Sequence, residues 1–407
     1  MNKSYSGRSV KRSAFKKRNY KGGSWRAGGG RRNGGNRGRS QVIDPSRFVK
    51  AAKVQEQVEY VPKNSFGDFA LAHQIQKNLT HKGYLTPTQI QDQSIPAALS
   101  GSDIVGIANT GTGKTAAFLL PMLNALAKNQ SQPMLVLAPT RELAQQIDQE
   151  FRQFAFGMKI FSAVLIGGSS FGRQLGELRR RPAMIIGTPG RIKDHLERGT
   201  LKLDTVQAIA LDEVDRMLDM GFINDIRTIL GKTPADKQSF FFSATMSPTI
   251  EGLIRTFTHD PVNIMAKTAD TSDNVEQSVV RFGSESDKVE KLHDVLIEET
   301  TQKVLVFRET KRSVEKLKDA LAQRGFDVET MHGNKSQGQR QRALRKYKQS
   351  EVSIMIATDV AARGIDVADI THVVNYDVPQ TYDDYTHRIG RAGRAGRQGF
   401  ALTFVRG

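Results

Sequence analysis

The chain has 407 residues, of which 38% are hydrophobic and 25% charged, with no cysteine and a formal net charge of +18. At roughly 100–200 residues per domain this length implies two or three domains, with apolar residues enough for packed cores. The absence of cysteine excludes disulfides and thiolate zinc sites. No apolar run approaches the ~18 residues of a membrane-spanning helix, and the basic N-terminus lacks the apolar stretch of a secretory signal, so the expected setting is the cytoplasm, with no membrane partner.

Thirteen lysines and arginines precede the first acidic residue, Asp44, so all but +5 of the net charge belongs to the tail. Residues 1–45 are rich in Gly, Arg, Lys, Ser and Asn. They offer too little apolar surface to offset the entropy of ordering, which predicts a disordered basic tail. Tyr5, Phe15, Tyr20 and Trp25 are interleaved with the cations. That pattern suits base stacking plus phosphate attraction on a flexible arm; a merely solubilising tail is the other reading. Residues 46–64 are expected to be a linker.

From about Ser65, short apolar runs alternate with helical stretches, the pattern of an α/β fold with parallel sheets. The runs are Ile104–Ala108, Leu135–Ala138, Met184–Ile186, Ala208–Leu211 and Phe240–Phe242. A polar stretch follows, and then Val304–Phe307, Ser353–Ile356, His372–Val374 and Ala401–Val405. Two sheet domains, 65–266 and 275–407, joined by a linker at 267–274, account for this order. Nearly every polar cluster follows an apolar run. In open α/β sheets ligands bind beyond the carboxyl ends of the strands, so these clusters should converge on one edge of each sheet.

The first run leads into Ala108-Asn109-Thr110-Gly111-Thr112-Gly113-Lys114-Thr115. Its glycines let the backbone curl N–H groups toward phosphate, Lys114 supplies a point charge for the β and γ phosphates, and the Thr115 hydroxyl can ligate Mg²⁺. The helix that starts here adds its positive end. The general pattern has Gly where this chain has Ala108; small size is what the position requires. Ala208–Leu211 ends in Asp212-Glu213-Val214-Asp215. Asp212 would hold Mg²⁺ through water, Glu213 would orient or deprotonate an attacking water, and Asp215 would tie its strand to a neighbour. An acidic helix cap is the plainer reading of this cluster taken alone.

Further motifs follow in a fixed order: Gly83–Gln91 (GYLTPTQIQ) with Phe66 upstream, Pro139–Ala144 (PTRELA), Gly167 and Gly168, Thr188–Arg191 (TPGR) and Ser243–Thr245 (SAT). The second half adds Gln337 to Arg340, Ala357–Asp359, Arg363–Asp366 (RGID) and His387–Arg394 (HRIGRAGR). In these motifs the chain resembles the DEAD-box RNA helicases from Phe66 to its end. The resemblance implies two tandem RecA-like domains, RNA-stimulated ATP hydrolysis with Mg²⁺, and local unwinding of short RNA duplexes by a monomer. It implies that Gln91 reads adenine, Phe66 stacks on it, and Gly364 and Asp366 meet the ribose. Arg388 and Arg391 would be arginine fingers; three apart, both could face the cleft from a helix. Ser243 and Thr245 would link Asp215 to the rest of the site. Arg141, Gly168, Thr188, Arg191 and Thr358 would hold the RNA backbone, which positions without specifying sequence. The preference for RNA over DNA is carried by the resemblance alone.

Two features depart from the family. The acidic motif reads DEVD, with Val214 in place of Ala, which could alter packing against the Ser243–Thr245 strand. Members usually continue into a helix that covers the second sheet, whereas this chain stops at Gly407, so exposed apolar surface is expected there. An alternative function is an RNA-binding or annealing protein driven by the tail, with vestigial ATP turnover.

Overall fold

The computed structural model describes residues 43–52, 60–109, 111–266, 271–362, 365, 367, 369–393 and 397–407. The expected disordered tail lies outside the described residues up to position 42. The described residues form two parallel sheets with helices between the strands. The first contains β1 (Ile104–Ala108), β2 (Met134–Leu137), β3 (Ser162–Leu165), β4 (Met184–Gly187), β5 (Ala208–Leu211), β6 (Gln238–Ser243) and β7 (Val262–Ala266). The second contains β8 (Val275–Phe282), β9 (Val304–Phe307), β10 (Val328–Met331), β11 (Ile354–Ala357), β12 (His372–Asn375) and β13 (Gly399–Arg406). The two-sheet α/β architecture is the expected one.

The strand orders are β3-β4-β2-β5-β6-β1-β7 and β10-β11-β9-β12-β13-β8. The apolar runs correspond to interior strands, in which all residues of β1, β2, β4, β5, β9, β11 and β12 are buried. The four strands that the apolar runs do not announce, β3, β7, β8 and β10, are the four sheet edges. Each is only partly buried, so polar residues interrupt its apolar pattern.

Both faces of the first sheet are covered. One core joins Ile104, Val136 and Phe242 to Phe118 and Phe151 of the helices; the other joins Val105, Leu137 and Phe241 to Ile192, Val214 and Ile250. On the second sheet, little of the expected apolar surface appears at β13 and β8. Phe404 and Val405 are buried, and Val279, Val280 and Leu402 are partly buried against the core.

The segment 46–64 differs from a bare linker. Pro45–Phe48 forms a short 3₁₀ turn, and Phe48 is fully buried in the core of the second lobe. Residues 60–64 instead grip the first lobe: the Tyr60 hydroxyl donates to Asp92 at 2.6 Å, and the Asn64 side chain donates to it at 2.7 Å.

Candidate active site and nucleic-acid interface

The sheet order divides the carboxyl edge of the first lobe into two halves. Strands β5, β6 and β1 are neighbours, so the loops after them meet; β3, β4 and β2 are neighbours on the other side. The phosphate loop follows β1, the acidic motif follows β5, and Ser243–Thr245 follows β6.

In the phosphate loop, Lys114 is buried and donates from Nζ to the Ala108 carbonyl at 2.9 Å. An ammonium has three protons, so two remain to offer an anion. Thr112 donates to the Asn109 carbonyl at 2.8 Å, and Thr115 is half-buried at the first turn of helix Lys114–Lys128. Gly113 has φ 90°, and a β-carbon there would collide with the Gln91 amide. That close approach lets Gln91 donate from Nε2 to the Gly113 carbonyl at 3.0 Å. Its Oε1 accepts from the Thr88 N–H at 3.0 Å, closing a capping box at the start of helix Gln89–Leu99. Gln91 therefore braces the phosphate loop as well as lying where the resemblance puts adenine recognition. Thr110 lies outside the described residues.

Asp212 is buried, and its Oδ1 has no hydrogen-bond partner. Burial, with help from the charges of Glu213 and Asp215 and against the pull of Lys114, pushes its carboxyl up to about 7. A bound cation reverses such a shift. The orphaned oxygen and the nearby Thr115 hydroxyl fit Mg²⁺. There is no group of three or more metal-ligand side chains among the described residues.

Glu213 has φ 55° and ψ 54°, a left-handed conformation strained for a side chain of this size. Its carboxylate pairs with buried Arg216 at 2.6 Å. Arg216 is a participant that motif reading missed, although its position three residues on is the spacing of a helical ion pair. Asp215 accepts from the Ala244 N–H at 3.0 Å and from the Thr245 N–H and hydroxyl at 2.9 and 3.2 Å. Its own N–H donates to Ser243 Oγ at 3.3 Å. The three residues expected to couple the site are thus in direct contact.

A cavity of about 170 Å³ is lined by Lys114, Thr115, Asp212, Glu213 and Arg216 of the first lobe and by Ile365 and Arg391 of the second. Tyr84 also lines it, whereas Phe66 does not. Phe66 is buried edge-to-face against Phe69 and Tyr84, at 5.7 and 5.6 Å. The two arginines take different partners. Arg391 donates to the Ile365 carbonyl at 2.8 Å on the cavity wall. Arg388 does not line that cavity; it makes a bidentate pair with Asp359 at 2.6 and 2.7 Å and donates to the Asp377 carbonyl at 2.7 Å. Helix Tyr382–Ile389 ends before Gly390, but the turn carries on: the Arg391 N–H donates to the Arg388 carbonyl at 3.1 Å, and both arginines line a second, smaller cavity with Asp359 and His387. Gly364 and Asp366 lie outside the described residues.

On the other half of the edge, Arg141 opens helix Arg141–Phe154 after β2 and lies against Gly168, whose φ of 77° and missing β-carbon leave room for the guanidinium. Burial and the neighbouring cations Arg340 and Arg191 lower the pKa of Arg141 against the pull of Glu142. Arg191 donates to the Ser169 carbonyl at 3.3 Å, and buried Thr188 precedes the helix Pro189–Glu197. Thr358 follows β11 on the second lobe and is half-buried. The lobes meet beside this face: Arg340 pairs with buried Glu142 at 2.8 Å, and Gln337 donates to Gln145 at 2.8 Å. Glu142 was legible only as part of PTRELA and Arg340 only as part of Gln337 to Arg340; their pairing across the lobes has no local signal.

Residues 88–253 match the DEAD/DEAH box helicase family, and residues 287–396 match the helicase conserved C-terminal domain. A DEAD box protein from the hyperthermophile Methanococcus jannaschii, known by crystal structure, is 39% identical over 85% of this chain and 94% of that one, with a TM-score of 0.50. The chain belongs to the DEAD-box family. A DEAD-box relative, the ATP-dependent RNA helicase CshA of Listeria monocytogenes, is 44% identical over 343 residues, which is 84% of this chain. The chain spans 66% of that relative's length. The structure of S. cerevisiae Dbp5 bound to RNA and ADP BeF3 superimposes with a TM-score of 0.74 at 28% identity, covering 84% of this chain and 90% of that one. Against the family name, the motif here carries Val214, which is fully buried among Phe241, Leu211 and Ile250. No helix of the described residues is long and apolar enough to cross a membrane.

Proposed function

We propose that this chain is an RNA-stimulated ATPase that clamps RNA between its two lobes and locally parts short duplexes. The observation that carries the reading is the cavity shared by Lys114, Asp212 and Glu213 of one lobe and Arg391 of the other, on the same sheet edge as Arg141 and Arg191. The names of its relatives and the RNA and nucleotide bound by Dbp5 support it.

In this reading Ala108 to Thr115 cradle the phosphates, Lys114 neutralises them, and Thr115 and Asp212 hold Mg²⁺, which supplies charge stabilisation to the transferring phosphoryl group. Glu213 aligns the attacking water, and Arg391 stabilises the developing charge, with Arg388 supporting it through Asp359. Gln91, Phe66, Gly364 and Asp366 serve adenosine, with Phe66 acting through Tyr84. Asp215, Ser243 and Thr245 transmit the state of the phosphates to the β6 loop. Arg141, Gly168, Thr188, Arg191 and Thr358 hold the RNA backbone. ATP and RNA each favour closure, so each strengthens binding of the other. The working unit is a cytoplasmic monomer with domains 65–266 and 275–407, and its basic tail gathers RNA.

The deciding experiment is steady-state ATP hydrolysis with and without single-stranded RNA, with Lys114→Ala as the blank. RNA-stimulated turnover lost in the variant is the expected result. RNA binding without stimulated turnover would transfer the function to the tail.

A further inference from the structure

The docked segment ahead of the first lobe has no part in the reading above, yet it meets the helix that leads to Arg391. We propose that Phe48 is a positioning residue for hydrolysis: the segment Asp44 to Lys50 seats on the second lobe and fixes helix Tyr382–Ile389, which carries Arg388 and leads into Arg391. This inference rests on the ATPase reading of the cavity.

The seat is specific in sequence and geometry. Asp44 caps the turn by accepting from the Ser46 N–H at 2.9 Å, which aims Phe48 inward. Phe48 is fully buried, with its ring 4.7 Å from that of Tyr385, in a core shared with Val275, Ile389 and Ala392. Ile389 lies between the two arginines and Ala392 directly follows Arg391. The Arg47 guanidinium lies 4.2 Å from the Tyr382 ring centre, so the first turn of the helix is held as well.

The backbone then locks the segment to the sheet. Lys50 and Gln277 exchange both main-chain hydrogen bonds, at 3.0 and 2.8 Å, as an antiparallel bridge on the outer side of edge strand β8. Strand addition of this kind gives affinity through the backbone and specificity through side-chain pockets. Lys50 also pairs with Asp273 at 2.6 Å. The loop closes because the Tyr385 hydroxyl donates to Gln277 Oε1 at 3.0 Å. Phe48, Tyr385 and Gln277 therefore form one connected set, joined to the arginine helix on one side and to the sheet on the other.

The consequence falls on the transition state rather than on binding. Arg391 is held on the cavity wall by its bond to the Ile365 carbonyl and by the turn out of this helix, in which its N–H donates to the Arg388 carbonyl at 3.1 Å. A displacement of about 1 Å at a catalytic group can cost on the order of 10²-fold in rate. Residues that bind ATP on the first lobe do not touch the segment, so ground-state affinity should hold.

The test uses the full chain with Phe48→Ala, Phe48→Leu and Lys50→Pro, the last removing the N–H that Gln277 accepts while leaving the aromatic core intact. RNA-stimulated kcat, KM for ATP, RNA affinity and unfolding midpoint are measured for each, with kinetics run well below each midpoint. Phe48→Ala is expected to lower kcat about tenfold, with KM and RNA affinity within about twofold; Phe48→Leu should recover much of the loss, and Lys50→Pro should reproduce it in part. If Phe48→Ala does not fold, Lys50→Pro carries the same expectation. Unchanged kcat in the folded variants overturns the proposal, as does a joint fall of kcat, ATP affinity and RNA affinity, which marks general damage. A wild-type chain with no RNA-stimulated turnover would instead remove the ATPase reading itself.

Discussion

On the first lobe, Asp215 alone accepts from Ala244, Thr245 and Arg216, and Glu213 already pairs with Arg216. On the second lobe, Arg388 is held by Asp359 and Asp377 of its own lobe, and of the two arginines Arg391 alone lines the shared cavity, beside Ile365. The first lobe is thus pre-organised, in the sense that its acceptors and donors are fixed before any charge develops. The second lobe contributes buried Arg391, just past the end of a helix whose position depends on packing elsewhere. The rate should therefore be most sensitive to what places Arg391, and the stability of the second lobe most sensitive to Arg388.

Exchanging the two arginines one at a time puts the largest strain on this comparison. Arg391→Ala should lower RNA-stimulated kcat by roughly 10³–10⁵, the range of an arginine finger, with little change in unfolding. Arg388→Ala leaves Asp359 without its bidentate partner and should destabilise the second lobe by about 3 kcal/mol. Its kcat, measured where the variant is folded, should fall less. Equal losses of kcat with unchanged unfolding curves would show that both arginines act on the phosphates and that their different partners here have no functional weight.

Glu213→Gln probes the pre-organised side. Removing the charge should lower kcat by about 10²–10⁴, the contribution of a positioned base, and should leave ATP-dependent RNA binding intact. Parallel loss of RNA binding would mean that the Glu213–Arg216 pair organises the lobe rather than serving chemistry alone.

What was legible in the sequence follows the same division. Interior strands are continuous apolar runs because both faces are covered, and the motifs follow them because that is where strand ends open to ligand. The loops after β1, β5 and β6 could therefore be read nearly residue by residue. The edge strands could not, since β7 exposes Val262 and Met265 and β8 alternates irregularly. Contacts between distant segments left no local trace: Phe48 reads as one aromatic after a basic tail, Arg216 as an ordinary helix residue, and Tyr84, although inside GYLTPTQIQ, carries no sign that it lines the cavity. The three-residue interval of Arg388 and Arg391 was legible, and a turn in which the Arg391 N–H donates to the Arg388 carbonyl carries it; their different side-chain partners, Asp359 and the Ile365 carbonyl, left no local trace.

The smallest expected effect tests whether the lobes differ in acid as they differ in organisation. His372 opens β12, fully inside the second lobe, stacked on Phe400 at 4.8 Å. Burial pushes its pKa down from 6.5 to about 4. Between those values the unfolded chain binds more protons than the folded one, so stability rises with pH across that window. The contribution is fully present above pH 6.5 and is lost as pH falls toward 4, on the order of 3 kcal/mol in all. His195 of the first lobe shifts in the same direction through burial and the nearby Arg191. Replacing only His372 with Gln should therefore flatten the acid dependence of amide protection in β9, β12 and β13 and leave that of β4 and β5 unchanged. An equal flattening in both sheets would mean that the lobes unfold as one unit, and the comparison between a fixed lobe and a dependent one would lose its basis.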